Sequence, residues 1–190
     1  MNSNRNQLKA AARKTAAGAL LTAAASALLI IGGVLEILDM TCAAMASAAI
    51  LIAYLEFGGA LAFSVYAAST VLSLIFLPMA SSVFYFALVL GYYPILKITL
   101  DKKLYGKRFL RMAVKFLCFN SACALILLLF AKIYGFDALM SELELGSLSS
   151  FSAFIFAALL NVFLVMYDFL TGYVTVIYIK MLRPRIFCKK

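Results

Sequence analysis

The chain has 190 residues, of which 66% are hydrophobic and 13% are charged, and its mean hydropathy is +1.04. Soluble domains are about half apolar and about a quarter charged, so this composition excludes an ordinary soluble domain and indicates an integral membrane protein. A net charge of +9 can indicate nucleic-acid binding, but the basic residues here lie where membrane topology explains them. We therefore predict no nucleic-acid partner.

Six apolar segments follow one another along the chain, and each is long enough to cross a bilayer as a helix of about 20 residues. The first, after a basic arm, is too long for the apolar core of a cleavable signal peptide, so we expect it to be retained. The second begins beside Asp39, a candidate N-cap, and the fourth reaches Pro94, which must kink or end its helix. The predicted spans, in one domain covering residues 1–190, are residues 15–35, 40–55, 60–77, 83–98, 112–130 and 151–179.

Basic residues fall on alternate connections between these spans. Apart from Lys132, every Lys and Arg lies in the N-terminal arm, in the segment from Lys97 to Lys115 around the connection between spans four and five, or in the C-terminal tail. Short loops rich in Lys and Arg remain in the cytoplasm. The sequence thus predicts an all-α integral membrane protein, a bundle of six transmembrane helices with a cytoplasmic N-terminus and a cytoplasmic C-terminus. We expect it in the bacterial inner (plasma) membrane, where its basic loops attract anionic lipids.

Catalytic chemistry has little support in this composition. The chain contains no histidine, which excludes a Ser-His or Cys-His pair and His-ligated zinc. No two of its four cysteines form a Cys-x-x-Cys pair, so we expect neither a redox dithiol nor a metal site. Only one aspartate, Asp168, lies deep in an apolar segment, whereas intramembrane aspartyl proteolysis needs two. We therefore predict that the protein is not an enzyme and has no catalytic residues, no metal and no cofactor.

The first span carries small residues on one face. Ala12, Ala16, Ala19 and Ala23 recur at spacings of four or three. Such a face lets two helix backbones approach closely in lipid. Two interpretations stay open: packing against a neighbouring span of the same chain, or docking to another membrane subunit.

The sixth span carries the deepest carboxyl group. Asp168 lies twelve residues before Lys180, roughly 18 Å at the helical rise, which predicts a position near the middle of the bilayer. A charge there costs on the order of 2.5 to 3.5 kcal/mol, so Asp168 is a candidate functional residue. Asn161, Thr171 and Thr175 share its helical stripe. The alternative is a buried carboxyl group, hydrogen-bonded to these neighbours, that only fixes helix packing.

Spans three and four add hydroxyl groups, although hydroxyls in spans usually bond to their own or a neighbouring helix. With both termini inside, several of them lie in the outer half of the membrane, just above Asp168. This placement predicts a substrate site that opens outward. Asn120, on the fifth span, falls nearer the cytoplasm and is expected outside that site. The predicted substrate-binding residues are Asp168, Asn161, Thr171, Ser73, Tyr85 and Tyr66.

The size, the six predicted spans, the cytoplasmic termini and the alanine pattern of the first span together resemble the substrate-binding S component of energy-coupling factor (ECF) transporters, which take up vitamins and micronutrients in prokaryotes. The resemblance covers the whole chain. It implies a vitamin-like small-molecule solute bound in the outer half, and a transmembrane coupling subunit contacted by Ala12, Ala16, Ala19 and Ala23. It also implies two ATPase subunits, and this chain has no phosphate-binding Gly-x-x-x-x-Gly-Lys-Ser/Thr motif of its own.

Two other functions fit the same features. One is a membrane assembly or interaction protein that binds no solute and uses the flat first helix as a contact surface. The other is a proton-coupled secondary transporter in which Asp168 is the proton site. The sequence does not identify the solute or the oligomeric state.

Overall fold

The computed structural model describes residues 2–35, 37–78, 80–104, 106–134 and 149–183, and every regular element in this part of the chain is a helix. The helices are α1 (Asn2–Leu35), α2 (Asp39–Phe57), α3 (Gly59–Phe76), α4 (Ser81–Tyr85), α5 (Tyr93–Lys103), α6 (Arg108–Tyr134) and α7 (Ser149–Ile177). Two of them continue into π-helical turns, α4 over Phe86–Leu90 and α7 over Tyr178–Leu182.

Within the described residues, 6 helical segments are long and apolar enough to cross a membrane. This confirms the predicted all-α class and the predicted number of apolar helices, as expected for a multi-pass membrane protein. Each segment overlaps its predicted span, and α4 and α5 together form the fourth. The basic tail beyond residue 183 lies outside the described residues. The six segments are Arg5–Leu35, Asp39–Phe57, Gly59–Phe76, Ser81–Lys103, Phe109–Leu129 and Ala157–Met181.

The chain separates into two compact units, Met1–Thr99 and Leu100–Lys190, called here the N-terminal half and the C-terminal half. Each half is described by itself. The prediction of a single domain stays a prediction.

The core of the N-terminal half forms where α1 packs against α2 and α3, with Ala25, Leu29 and Ala46 fully buried. Glycines allow the closest approach. A Cβ atom added to Gly32 would lie 2.7 Å from the Cβ atom of Cys42, a distance that real side chains do not adopt. The tight packing of α1 against α2 therefore depends on glycine at position 32, near the C-terminal end of α1.

The start of α2 differs from the prediction by one residue. Leu38 is the N-cap and makes no side-chain capping hydrogen bond, and Asp39 is the first helical residue. The predicted N-cap at Asp39 was wrong, although its carboxylate still lies in the first turn. There it stabilises the positive end of the helix dipole.

The fourth span is interrupted before Pro94, as predicted. The N–H of Gly91 donates to Phe86 O at 2.7 Å, five residues back, instead of to Ala87 O, the usual α-helical acceptor. Ala87 O accepts a hydrogen bond from the hydroxyl group of Tyr66 on α3. The π-helical turn is thus stabilised by a side chain from a neighbouring helix.

Candidate functional site

Two amide side chains form a pair between α6 and α7. Asn120 Nδ2 donates to Asn161 Oδ1 at 3.0 Å, and Asn161 Nδ2 donates to Asn120 Oδ1 at 3.4 Å. Each Nδ2 also donates at 2.8 Å to a carbonyl of its own helix, that of Phe116 or Ala157. The prediction that Asn120 lies apart from Asn161 was therefore wrong. It compared depths estimated separately for two spans, and a small error in either boundary moves a residue by a full turn.

Four charged side chains from α5, α6 and α7 form a second cluster. Lys115 Nζ lies 2.9 Å from Asp168 Oδ1 and 3.5 Å from Asp101 Oδ1. Arg111 Nε lies 3.3 Å from the same oxygen of Asp101. We call these four residues the charge network, in which two cations face two carboxylates. A carboxyl group that the sequence presented as isolated therefore has an ammonium group beside it.

Lys115 is the most buried member of the charge network. Its side chain is 7% exposed, whereas that of Asp168 is 30% exposed and that of Asp101 is 39% exposed. Burying an uncompensated ammonium group is costly, and two carboxylates within 3.5 Å offset that cost. The arrangement contains no nucleophile next to a base. Its chemistry is the binding of charged and hydrogen-bonding groups.

The amide pair and the Lys115–Asp168 pair lie on one line along α6 and α7. Lys115 pairs with Asp168, and five residues further along α6 Asn120 pairs with Asn161, seven residues earlier in α7. The two helices are therefore antiparallel, and the two levels lie about 10 Å apart at the helical rise. All these residues fall inside candidate membrane spans. We call the six residues the polar column: Asp101, Arg111, Lys115, Asn120, Asn161 and Asp168.

The charge network lies near the ends of two of its helices. Asp101 is two residues before the end of α5, and Lys115 is seven residues after the start of α6. The helical part that contains Asp168 continues to Leu182, past the level of these ends. Counting from Lys180 alone therefore predicts a deeper position for Asp168 than its neighbours on α5 and α6 indicate.

The hydroxyl groups near Asp168 bond to their own helix. Thr171 Oγ1 donates to Tyr167 O, and Thr175 Oγ1 donates to Thr171 O at 2.7 Å. Thr171 is buried, so it belongs to the packing of α7 against its surroundings. Neither threonine donates to the Asp168 carboxylate. The packing interpretation had predicted such a hydrogen bond.

The other predicted site residues lie in the N-terminal half. Ser73 is fully buried, and no hydrogen-bond partner of its Oγ occurs among the described residues. Tyr66 supports the π-helical turn, and Tyr85 is half-buried at the end of α4. The predicted set thus divides between the two halves of the chain. A common pocket for all six residues stays a prediction.

The alanine face of α1 is exposed. Ala12, Ala16, Ala19 and Ala23 all lie on the uncovered side of the helix. The opposite side packs inward, for instance at Gly18, which faces Leu61. Packing against a neighbouring span of the N-terminal half is therefore not the role of these alanines.

Three members of the polar column were not predicted as site residues: Asp101, Arg111 and Lys115. They were assigned to a basic loop, although Lys115 lies inside the predicted span 112–130. One signal was present, because Arg111 and Lys115 are one helical turn apart and therefore share a helix face.

No protein-family model matches the chain, and neither does any curated protein or solved structure. The resemblance to S components therefore rests on the sequence features alone and stays a prediction.

Proposed function

We propose that this chain is a multi-pass protein of the bacterial inner membrane that binds a small, vitamin-like solute and passes it to an ATP-driven module, as an ECF S component does. Its termini lie in the cytoplasm. The polar column is the observation that carries the proposal.

Polar groups are costly in an apolar setting. A charge costs a few kcal/mol at the centre of a membrane span and less near its ends, and ionisable residues within spans mark substrate or ion pathways. Here three charges and two amides lie on α6 and α7, and Asp101 on α5 adds a fourth charge. Asn120 is exposed and Asp168 is partly exposed, so a ligand can reach both side chains. A line of partly open polar groups inside apolar helices suits a polar solute.

The alanine face of α1 supplies the second part of the proposal. Small residues let a partner helix approach closely where lipid gives no hydrophobic driving force. Ala16 and Ala19 lie at the centre of this exposed face. In the proposed assembly this face contacts the coupling subunit, and two ATPase subunits supply the energy.

An assembly protein without a solute is the second candidate, because the exposed alanine face supports that function equally well. An assembly function, however, leaves the polar column without a role. A proton-coupled carrier has less support. Lys115 already compensates the charge of Asp168 at 2.9 Å, so neutralisation does not require a proton.

Native mass spectrometry of the protein purified from its own host membranes tests the proposal. We expect the wild type to carry a small solute and to co-purify with a coupling subunit and ATPases. Asp168→Asn should lose the solute and keep the partners, whereas Ala16→Leu should lose the partners and keep the solute. A protein with partners but no solute in any sample would instead be an assembly protein.

Two matched controls accompany these variants. Ser121→Ala removes a hydroxyl group beside Asn120 that bonds only to its own helix, at Cys118 O. Ala68→Leu adds the same bulk as Ala16→Leu on an exposed position of α3. Both controls should keep solute and partners. Loss of either in the controls would show that the effects are not specific to the site.

A further inference from the structure

We propose that the bound solute carries a cationic nitrogen, which takes the place of Lys115 beside Asp168 while Lys115 moves fully to Asp101. This inference rests on the proposed function and names the chemical class of its solute.

Lys115 is already shared between the two carboxylates. Its ammonium group lies 2.9 Å from Asp168 and 3.5 Å from Asp101, so the exchange needs only a small movement of one side chain. Lysine is suited to this movement because its four-carbon stem is flexible, whereas an aspartate side chain is short. The lysine is therefore the mobile member, and Asp168 is the position that it vacates.

Arg111 holds the receiving carboxylate in place. Its Nε atom lies 3.3 Å from the Asp101 oxygen that also faces Lys115. Throughout the exchange Lys115 keeps a carboxylate partner, so no buried ammonium group is left alone in a medium of low dielectric constant. After the exchange the added cation faces Asp168, while Lys115 and Arg111 share the carboxylate of Asp101, so each cation keeps a carboxylate partner and the network carries one net positive charge.

At the Lys115–Asp168 pair the exposure of the side chains favours a cation over an anion, although Arg111, which pairs with Asp101, is itself 29% exposed. An anion would have to reach Lys115, which is 7% exposed, between two carboxylates that repel it. A cation needs to reach only Asp168, which is 30% exposed. The open member of the pair is the negative one.

The amide pair defines the other end of the solute. Asn120 Oδ1 and Asn161 Oδ1 each accept one hydrogen bond in the pair, and an amide oxygen has two lone pairs. These oxygens lie about 10 Å along the column from the charge network. The geometry fits an elongated solute with a cationic nitrogen at one end and hydrogen-bond donors at the other.

The solute released from wild-type protein purified from its own host, identified by high-resolution mass spectrometry, tests the inference. We expect a compound with a nitrogen that is protonated or quaternary at neutral pH. Its occupancy should fall at least about tenfold in Asp168→Asn, because a lost ionic contact in a poorly hydrated site costs more than one factor of ten in affinity. Asp101→Asn should also lower occupancy, since Lys115 then lacks its second carboxylate. Glu56→Gln, a charge removal in the N-terminal half, is the matched control.

If the Asp168→Asn protein does not fold, two other variants provide the comparison. Asp168→Glu should retain the solute occupancy, and Asp101→Asn should lower it. A neutral or anionic solute, or full occupancy in Asp101→Asn, would overturn the inference and leave the proposed function standing. A wild-type protein without any solute would overturn both.

Discussion

At the scale of single residues, Lys115 is the centre of the C-terminal half. Its ammonium group lies within 4 Å of two carboxylates, those of Asp101 and Asp168. A shared cation makes the effects of substitution asymmetric. Removing the lysine affects two carboxylates, whereas removing one carboxylate leaves the lysine with the other.

Lys115→Met should therefore destabilise the protein more than Asp168→Asn. We expect a loss of about 2 kcal/mol or more for the lysine variant, because breaking a buried ion pair leaves charge uncompensated, and about 1 kcal/mol for the aspartate variant. The loss of stability in both variants can be followed by heating the detergent-solubilised protein. The fraction that stays monodisperse is then measured by size-exclusion chromatography. The chain has no tryptophan to report unfolding by fluorescence.

The double variant Lys115→Met with Asp168→Leu should regain much of the stability lost by Lys115→Met alone, because an apolar pair replaces the ion pair. If Asp168→Asn proved the more damaging of the two single changes, Lys115 would not be the shared cation.

The sequence identified Asp168 and Asn161 but not their partners. A carboxylate in an apolar run stands out by its position alone, whereas Lys115 lies close to other basic residues and looks like part of a loop. Which cation reaches Asp168 depends on the register of α6 against α7, and hydropathy contains no information about register. Asn120 was misplaced for the same reason.

At the scale of helices, the fourth span is the element whose shape depends most on a neighbour. The π-helical turn Phe86–Leu90 frees a carbonyl that Tyr66 takes, and the ring of Tyr66 lies against Gly91. A Cβ atom at Gly91 would lie 2.7 Å from both Phe86 O and the Tyr66 ring. Only glycine allows this approach.

Gly91→Ala should destabilise the protein by about 1 to 3 kcal/mol, since the added methyl group overlaps a backbone oxygen and must displace it. Gly18→Ala is the matched control. Its Cβ atom would lie 3.4 Å from Leu61, an ordinary contact with a flexible side chain, and alanine is the better helix former by up to about 1 kcal/mol. Equal thermal stability of the two variants would contradict the structural role of Gly91.

Most of the helices were predictable, and their irregularities were only partly so. Apolar runs of about 20 residues identify spans because the average over a span tolerates an error at either end. Pro94 predicted the interruption of the fourth span. The π-helical turn was not predictable, because it depends on Tyr66 from another helix. The start of α2 was misplaced by one residue because an aspartate is favourable both at the N-cap and in the first turn.

At the scale of the whole molecule, the two halves carry different surfaces. The N-terminal half exposes the alanine face of α1, and the C-terminal half contains the polar column. In the proposed function the first is the contact with the coupling subunit and the second binds the solute. The sequence showed the small-residue face, because a spacing along one helix needs no second helix to be recognised, but it left open whether that face packs within the chain.

Site-directed photo-crosslinking tests the central claim, that the polar column binds the solute, most directly. A photoreactive amino acid at Val165 lies on the stripe of α7 between Asn161 and Asp168, whereas one at Leu170 lies on the opposite side of that helix. Both positions are exposed. Illumination of protein purified from its own host, followed by peptide mass spectrometry, should show solute attached at Val165 and none at Leu170. Equal labelling at the two positions, or none at Val165 in protein shown to carry solute, would contradict the account.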